Sequence, residues 1–219
     1  MVVGRRTVVR LAAFSAGRAA FVGVPVLESL RFPGGPGLRS SSAGVPAEVL
    51  IIRHAEQPAR GSQVHLSDVG RARAAALPKL FPTPFATPTF LFATRPSKES
   101  ERPLETLQPL AGALRLRIDD RFPDDAYAQL ASTILTGAKY VGAHILICWH
   151  HGMIPGLAAL LGAVRPPTRW PEAQYDHVWQ LRYSGGAVTF DDRLAPLLPG
   201  DRTAEDPTGL PSGPPPGRV

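Results

Sequence analysis

The stretch AEVLIIRHAE, residues 47–56, decides how the rest of the chain is interpreted. Its first part is rich in leucine and β-branched residues and predicts a buried strand over 47–53. Arg53 and His54 stand where that strand ends. Ligands of α/β proteins bind outside the carboxyl ends of the strands, so these two side chains are candidates for a functional site.

Strands and helices alternate along the rest of the chain. Apolar runs between turn signals predict strands, and apolar residues at helical spacing predict helices. The later predicted strands are 89–93, 114–118 and 144–149, and the predicted helices begin at Ser67 and Pro103 or span 125–138 and 154–161. Two more strands, 177–183 and 187–190, flank a glycine turn and predict a hairpin. This alternation favours an α/β layered domain with a largely parallel sheet and an antiparallel hairpin near its end.

Proline and glycine divide the chain into three parts. Many of the 24 prolines and 21 glycines lie at 33–46 and 195–217, where the composition is that of a linker. We therefore expect a basic extension over 1–46, one domain over 47–192, and a disordered Pro/Gly-rich tail over 193–219. Arg5-Arg6 precedes an apolar stretch that Arg18 interrupts, so the extension is interpreted as a twin-arginine export signal, a disordered arm or a start placed too early. A cytoplasmic location is preferred over export.

The charge of the chain argues against a nucleic-acid-binding protein. The net charge is +6, and five arginines against one glutamate in the first 31 residues account for +4 of it. The mildly basic remainder suits small anionic substrates, and it shows neither a basic recognition helix nor aromatic residues interleaved with basic ones. No apolar run reaches the ~18–20 residues of a membrane span. A single cysteine, Cys148, excludes an intramolecular disulfide.

Basic side chains recur near strand ends. Arg53-His54 and His150-His151 each follow a predicted strand, and Arg102 lies just before a predicted helix. A neutral imidazole can attack phosphorus and form a phosphohistidine. Arginine forks stabilise the charge that a phosphoryl group spreads over three oxygens. The sequence has no Cys/His/Asp cluster with metal-ligand spacing, so neither a metal nor another cofactor is expected.

Four segments in order resemble motifs of the histidine phosphatase superfamily, which has the phosphoglycerate mutase-like fold. They are LIIRHAE at 50–56, LSDVGRARA at 66–74, FAT and RPLET within 92–106, and ILICWHHG at 145–152. The resemblance covers about residues 47–191 and implies a three-layer α/β/α sandwich with a mostly parallel sheet and a C-terminal hairpin. Two departures stand out: Ala55 replaces the usual glycine, and the loop from Thr94 to Arg102 is longer and more charged.

The resemblance also implies a function, that of a metal-independent phosphomonoester hydrolase acting on a small phosphorylated substrate. His54 is expected to be the phosphorylated nucleophile, with Arg53, Arg102 and a late histidine forming the phosphate pocket. A phosphomutase of the same fold and a non-catalytic phospho-ligand binding module are the alternatives. Specificity is expected from the loops 55–65, 81–88, 95–101 and 164–176, which carry no motif.

Two assignments stay open. His151 is preferred as the late histidine because it precedes Gly152 and a helix start whose free N–H groups favour anions, and His150 is the alternative. The resemblance places the general acid after the second helix. Asp124 is the first candidate there, and a solvated acidic turn is the competing interpretation; Asp125 in the same stretch and Glu56 after the first strand are the other candidates.

Overall fold

Six strands form one sheet within residues 44–203, the part of the chain that the computed structural model describes. The strands are β1 (Glu48–Arg53), β2 (Phe90–Ala93), β3 (Ile118–Asp119), β4 (His144–Trp149), β5 (His177–Ser184) and β6 (Ala187–Leu194). Their order is β3-β2-β4-β1-β5-β6. The first four pair in parallel, while β5 pairs antiparallel with both β1 and β6. The predicted parallel sheet with a C-terminal hairpin is confirmed.

Four α-helices cover the sheet within the described residues: α1 (Asp68–Ala76), α2 (Arg102–Leu114), α3 (Tyr127–Thr136) and α4 (Ile154–Leu160). The Ser67 hydroxyl caps α1 by accepting the N–H of Gly70 at 3.0 Å, as its position in the sequence predicted. Both α2 and α4 carry a proline in the first turn, where the missing N–H has no cost.

Alternating side chains of β1 separate two hydrophobic cores. Val49 and Ile51 pack with α3 and α4, whereas Leu50 and Ile52 pack on the opposite face with α2. A sheet with a helical layer on each face is the three-layer α/β/α arrangement that was predicted. None of the helices in this part of the chain is long and apolar enough to span a membrane.

The second helix and the third strand differ from the prediction. We expected a strand over 114–118, but α2 continues through Leu114 because its leucines keep helical spacing to that point. Arg115 then takes a left-handed conformation (φ 55°) that ends the helix. The strand that follows is the two-residue β3, displaced towards the carboxyl side.

Residues just beyond the predicted boundary at 193 contact the rest of the domain. Strand β6 continues through Leu194, Ala195 is buried, and Asp201 and Arg202 form ion pairs with the domain. Linker-like composition indicated a tail here, and these ion pairs are what hold residues 195–203 in place. Residues 1–43 and 204–219, which hold most of the predicted extension and tail, lie outside the described residues.

Candidate active site

The carboxyl ends of two neighbouring central strands bring the predicted site residues to one edge of the sheet. Arg53, the last residue of β1, lies opposite Trp149, the last residue of β4. The N–H of His54 donates to the Trp149 carbonyl at 3.2 Å. His54 and His150 therefore leave adjacent strands side by side, and α2 begins nearby at Arg102.

The imidazole of His54 is buried, with 1% of the residue exposed. Its Nδ1 lies 2.7 Å from the Ala55 carbonyl oxygen, which can only accept, so Nδ1 carries the proton and Nε2 keeps its lone pair. Burial lowers the pKa of His54 to about 3; the bond to Ala55 opposes the shift, and Arg102 and Arg53 add to it. A neutral imidazole with a free Nε2 is the form that a nucleophile requires.

Thr106 links the backbone after His54 to the start of α2. The N–H of Ala55 donates to Thr106 Oγ1 at 2.9 Å, and that hydroxyl donates to the Arg102 carbonyl at 2.7 Å. Thr106 is the last residue of the RPLET motif, but the sequence alone indicated no role for it. The two hydrogen bonds keep the backbone at His54 and the backbone at Arg102 close together.

Two arginines beside His54 are buried with unpaired donors. Arg102 is 8% exposed, and its Nε and Nη1 have no hydrogen-bond partner within residues 44–203. Arg53 is 5% exposed, with Nε equally unpaired, while its Nη1 donates to the Glu172 carbonyl. Burial lowers the pKa of both guanidinium groups. Buried donors without partners are costly, and a bound oxyanion would satisfy them.

The two late histidines point to different places, as adjacent residues at a strand end should. The His150 ring lies edge-on to the His54 ring, with centroids 5.4 Å apart. Its Nε2 is 3.0 Å from Ser100 Oγ, and its Nδ1 is 3.0 Å from Asp124 Oδ1, an ion-pair separation without hydrogen-bond alignment. His151 instead lies with Nδ1 3.4 Å from Arg53 Nη2. His150 is thus the histidine beside His54, and His151 stands behind Arg53.

Of the three acidic candidates, Asp124 is the one that the structure brings to the site, through His150. Asp125 is exposed in the turn before α3. Glu56 is engaged elsewhere, since both of its carboxylate oxygens bond to Arg73 at 2.7–3.0 Å.

Two residues at the site were missed by sequence analysis. Ser100 is buried against His150, and the Tyr175 ring lies 6.5 Å from the His54 ring. The Cζ of Arg53 stands 4.0 Å from the Tyr175 ring centroid. Tyr175 comes from the 164–176 segment, which carries no motif, so no sequence signal pointed to it.

The structure also brings together three side chains of types that can bind metal ions, which the sequence did not predict. Possible ligand atoms of His65, Glu101 and Glu105 all lie within 4.8 Å of one another. Glu105 accepts from His65 Nδ1 at 2.6 Å and from the Leu66 N–H at 2.8 Å. These bonds fasten the loop before α1 to α2, which gives the carboxylate a structural role.

Similarity to known proteins is found among solved structures. No protein-family model matches the chain, and no curated protein matches it either. Among solved structures, it is similar to a mycobacterial glucosyl-3-phosphoglycerate phosphatase, with 16% identity over 68% of this chain and 96% of that one and a TM-score of 0.48.

Two further solved structures are similar to the same extent. An alpha-ribazole phosphatase from Shigella flexneri shows 14% identity over 68% of this chain and 95% of that one, with a TM-score of 0.47. A phosphoserine phosphatase from Entamoeba histolytica shows 12% identity over 69% of this chain and 99% of that one, with a TM-score of 0.48. These likenesses concern the backbone, so the chemistry has to be argued from the site.

Proposed function

We propose that this protein is a member of the histidine phosphatase superfamily that hydrolyses phosphomonoesters through a phosphohistidine at His54. The observation that carries the proposal is the pairing of a buried, neutral imidazole with two buried arginines that keep unpaired donors. The imidazole supplies a nucleophile, and the arginines supply charge for a dianion. Neither group needs a metal ion for this chemistry.

The first step transfers the phosphoryl group to the protein. The Nε2 lone pair of His54 attacks phosphorus, an N–P bond forms, and the bond from phosphorus to the alcohol oxygen breaks. Arg53 and Arg102 hold the three remaining oxygens, whose charge is spread in the transition state. The leaving oxygen takes a proton from solvent as it departs, which yields the free alcohol.

We assign the role beside the phosphoryl group to His150, whereas the sequence favoured His151. The support is its position edge-on to His54, with Asp124 at its Nδ1. The nearby carboxylate helps to fix the orientation of the imidazole, whose Nε2–H can donate a hydrogen bond to a transferring oxygen in place of Ser100. Asp124 then acts through His150 and does not itself meet the substrate.

The second step returns the protein to its starting state. Water attacks phosphorus, the N–P bond breaks, and inorganic phosphate leaves with His54 neutral again. The attacking water releases its surplus proton to solvent, which balances the proton taken up in the first step and closes the cycle.

A cavity beside Arg53 supports a small-molecule substrate. It has a volume of about 220 Å³ and is lined by His151, Thr168, Arg169 and Glu172, among others. Arg53 adjoins it through its contacts with His151 and Glu172. The alcohol portion of a small phosphomonoester would occupy this space while its phosphoryl group meets His54.

The test is turnover of an aryl phosphate by His54→Ala. The matched control is His144→Ala, because His144 begins β4 and therefore lies at the end of the sheet away from the site. We expect His54→Ala to lose all measurable turnover and the acid-labile phosphoenzyme, while His144→Ala keeps both. Retention of more than a few per cent of activity would contradict the nucleophile assignment. The assays contain EDTA, so activity that needs an added divalent ion would contradict the metal-free mechanism.

The same assay separates the alternative functions. Transfer of the phosphoryl group to an added alcohol in preference to water would indicate a phosphomutase. Binding of inorganic phosphate without turnover of any phosphomonoester in a broad panel would indicate a binding module.

A further inference from the structure

Tyr175 contacts both the nucleophile and a phosphate-site arginine, although it belongs to no motif. Its half-buried ring lies 6.5 Å from the His54 ring, and the Arg53 guanidinium carbon lies 4.0 Å from its centroid. Tyr175 also acts electrostatically on Arg102. One aromatic side chain therefore adjoins two groups of the site, His54 and Arg53.

Stacking is a suitable way to hold an arginine that must bind an anion. A cation above an aromatic ring interacts through its face, and the N–H donors of a guanidinium point outward within its plane. The ring therefore fixes the plane of Arg53 without using any of its donors. Arg53 Nε remains unpaired within the described chain and is available to an oxyanion.

The residues before and after Tyr175 are both fixed by hydrogen bonds. The Gln174 carbonyl accepts the indole N–H of Trp170 at 2.9 Å. The buried carboxylate of Asp176 accepts three bonds from Arg202: from the backbone N–H at 2.9 Å, from Nε at 3.1 Å and from Nη2 at 2.6 Å. A side chain set between two such anchors has little freedom to leave Arg53.

We propose that Tyr175 is a positioning residue that orients Arg53 for the phosphoryl group, and that the Asp176–Arg202 pair holds Tyr175 in place. The segment 195–203 would then act on the phosphate pocket from a distance. The inference rests on the proposed phosphate site at Arg53, and it does not require that hydrolysis follow.

The experiment measures binding of inorganic phosphate by calorimetry in the full chain, without any turnover. We expect Tyr175→Leu to weaken phosphate binding about 10-fold, which corresponds to ~1.4 kcal/mol. Tyr175→Phe keeps the ring and should bind within about twofold of the wild type, because stacking needs no hydroxyl. Equal losses in both variants would overturn the stacking argument, and wild-type affinity in Tyr175→Leu would overturn the proposal.

A double-mutant cycle tests the role of Arg202. We expect Arg202→Gln to weaken phosphate binding, and the double variant with Tyr175→Leu to be little worse than Tyr175→Leu alone, since both changes free Arg53. Arg182→Gln is the control, because its ion pair with Asp191 lies on the exposed hairpin. Additive losses in the double variant would overturn the coupling.

The outcome also separates this inference from the proposed hydrolase function. Phosphate binding that depends on Tyr175, in a protein that hydrolyses nothing, would sustain the inference and refute the hydrolase. Turnover that depends on His54, with phosphate binding indifferent to Tyr175, would do the reverse.

Discussion

Two buried arginines on neighbouring helices have opposite surroundings. Arg73 in α1 and Arg102 in α2 are each 8% exposed. Arg73 is bonded to the carboxylates of Glu56 and Asp201 at 2.7–3.0 Å. Arg102 leaves Nε and Nη1 without a partner in the chain from 44 to 203. Residue type and burial alone therefore do not reveal which arginine is paired within the fold and which keeps donors free for a ligand.

The pKa values of the two arginines differ because their hydrogen-bond partners differ. Burial lowers the pKa of Arg73, but hydrogen bonds to Asp201 and Glu56 outweigh it and raise the pKa above its ordinary value. Burial also lowers the pKa of Arg102, and Tyr175 and Glu105 offset only part of that effect. A buried guanidinium with two carboxylates is neutralised by the protein itself, whereas Arg102 leaves positive charge for a dianion from solution.

The largest effect is expected at Arg73. Arg73→Gln leaves the carboxylates of Glu56 and Asp201 without their cation, and we expect it to lower the free energy of unfolding by about 3–5 kcal/mol. Urea denaturation measures the loss. Arg71→Gln in the same helix is the control, since its exposed pair with Asp68 should contribute less than about 1 kcal/mol. A loss of similar size in both variants would erase the distinction between buried and exposed pairs.

Arg102 should show the opposite pattern, with a loss of activity and an unchanged fold. In Arg102→Lys an ammonium replaces the planar fork, and we expect kcat/KM to fall about 100-fold, or ~2.7 kcal/mol. Inorganic phosphate should raise the Tm of the wild type and of Arg73→Gln, but should have little effect on Arg102→Lys. Near-normal kinetics in Arg102→Lys would place this side chain outside the phosphate pocket.

The adjacent residues His150 and His151 allow the same comparison between a side chain beside His54 and one outside that contact. We expect His150→Asn to lower kcat about 30-fold, or ~2 kcal/mol, because His150 lies edge-on to His54, the proposed nucleophile. His151→Asn should change kcat by less than about threefold, since its contact is with Arg53. Steady-state kinetics of both variants decide the matter. A dead His151→Asn beside a nearly normal His150→Asn would restore the assignment made from the sequence.

The smallest effect is expected in the pH dependence of stability. The pKa of His54 is about 3 in the folded protein and near its ordinary 6.5 when unfolded, so the unfolded state binds more protons between these values. The contribution of His54 is therefore complete above pH 6.5 and is lost as the pH falls. Relative to His54→Gln, the wild type should lose about 1–2 kcal/mol of unfolding free energy between pH 6.5 and pH 5. Parallel stability curves for the two proteins would contradict a buried, neutral His54.

Local patterns were sufficient for most of the fold. The run before Arg53 and the one at 144–149 form the central strands, because short apolar segments rich in isoleucine are typical of strands buried on both faces. The helix start at Ser67 was predicted from its own hydroxyl, a contact within one turn. The strand predicted over 114–118 was misplaced, because a short apolar segment after a leucine-rich helix is compatible with either structure.

The sequence by itself determined that Arg53, His54 and Arg102 meet at one edge of the sheet, since their motifs follow or precede elements whose ends converge there. Only the tertiary structure decided which side chains complete that edge. His150 stands beside His54 through contacts with Ser100 and Asp124, and Tyr175 reaches Arg53 from a distant part of the chain. These contacts depend on loops whose paths are set by packing and ion pairs far apart in sequence, and hydrophobic periodicity carries no information about them.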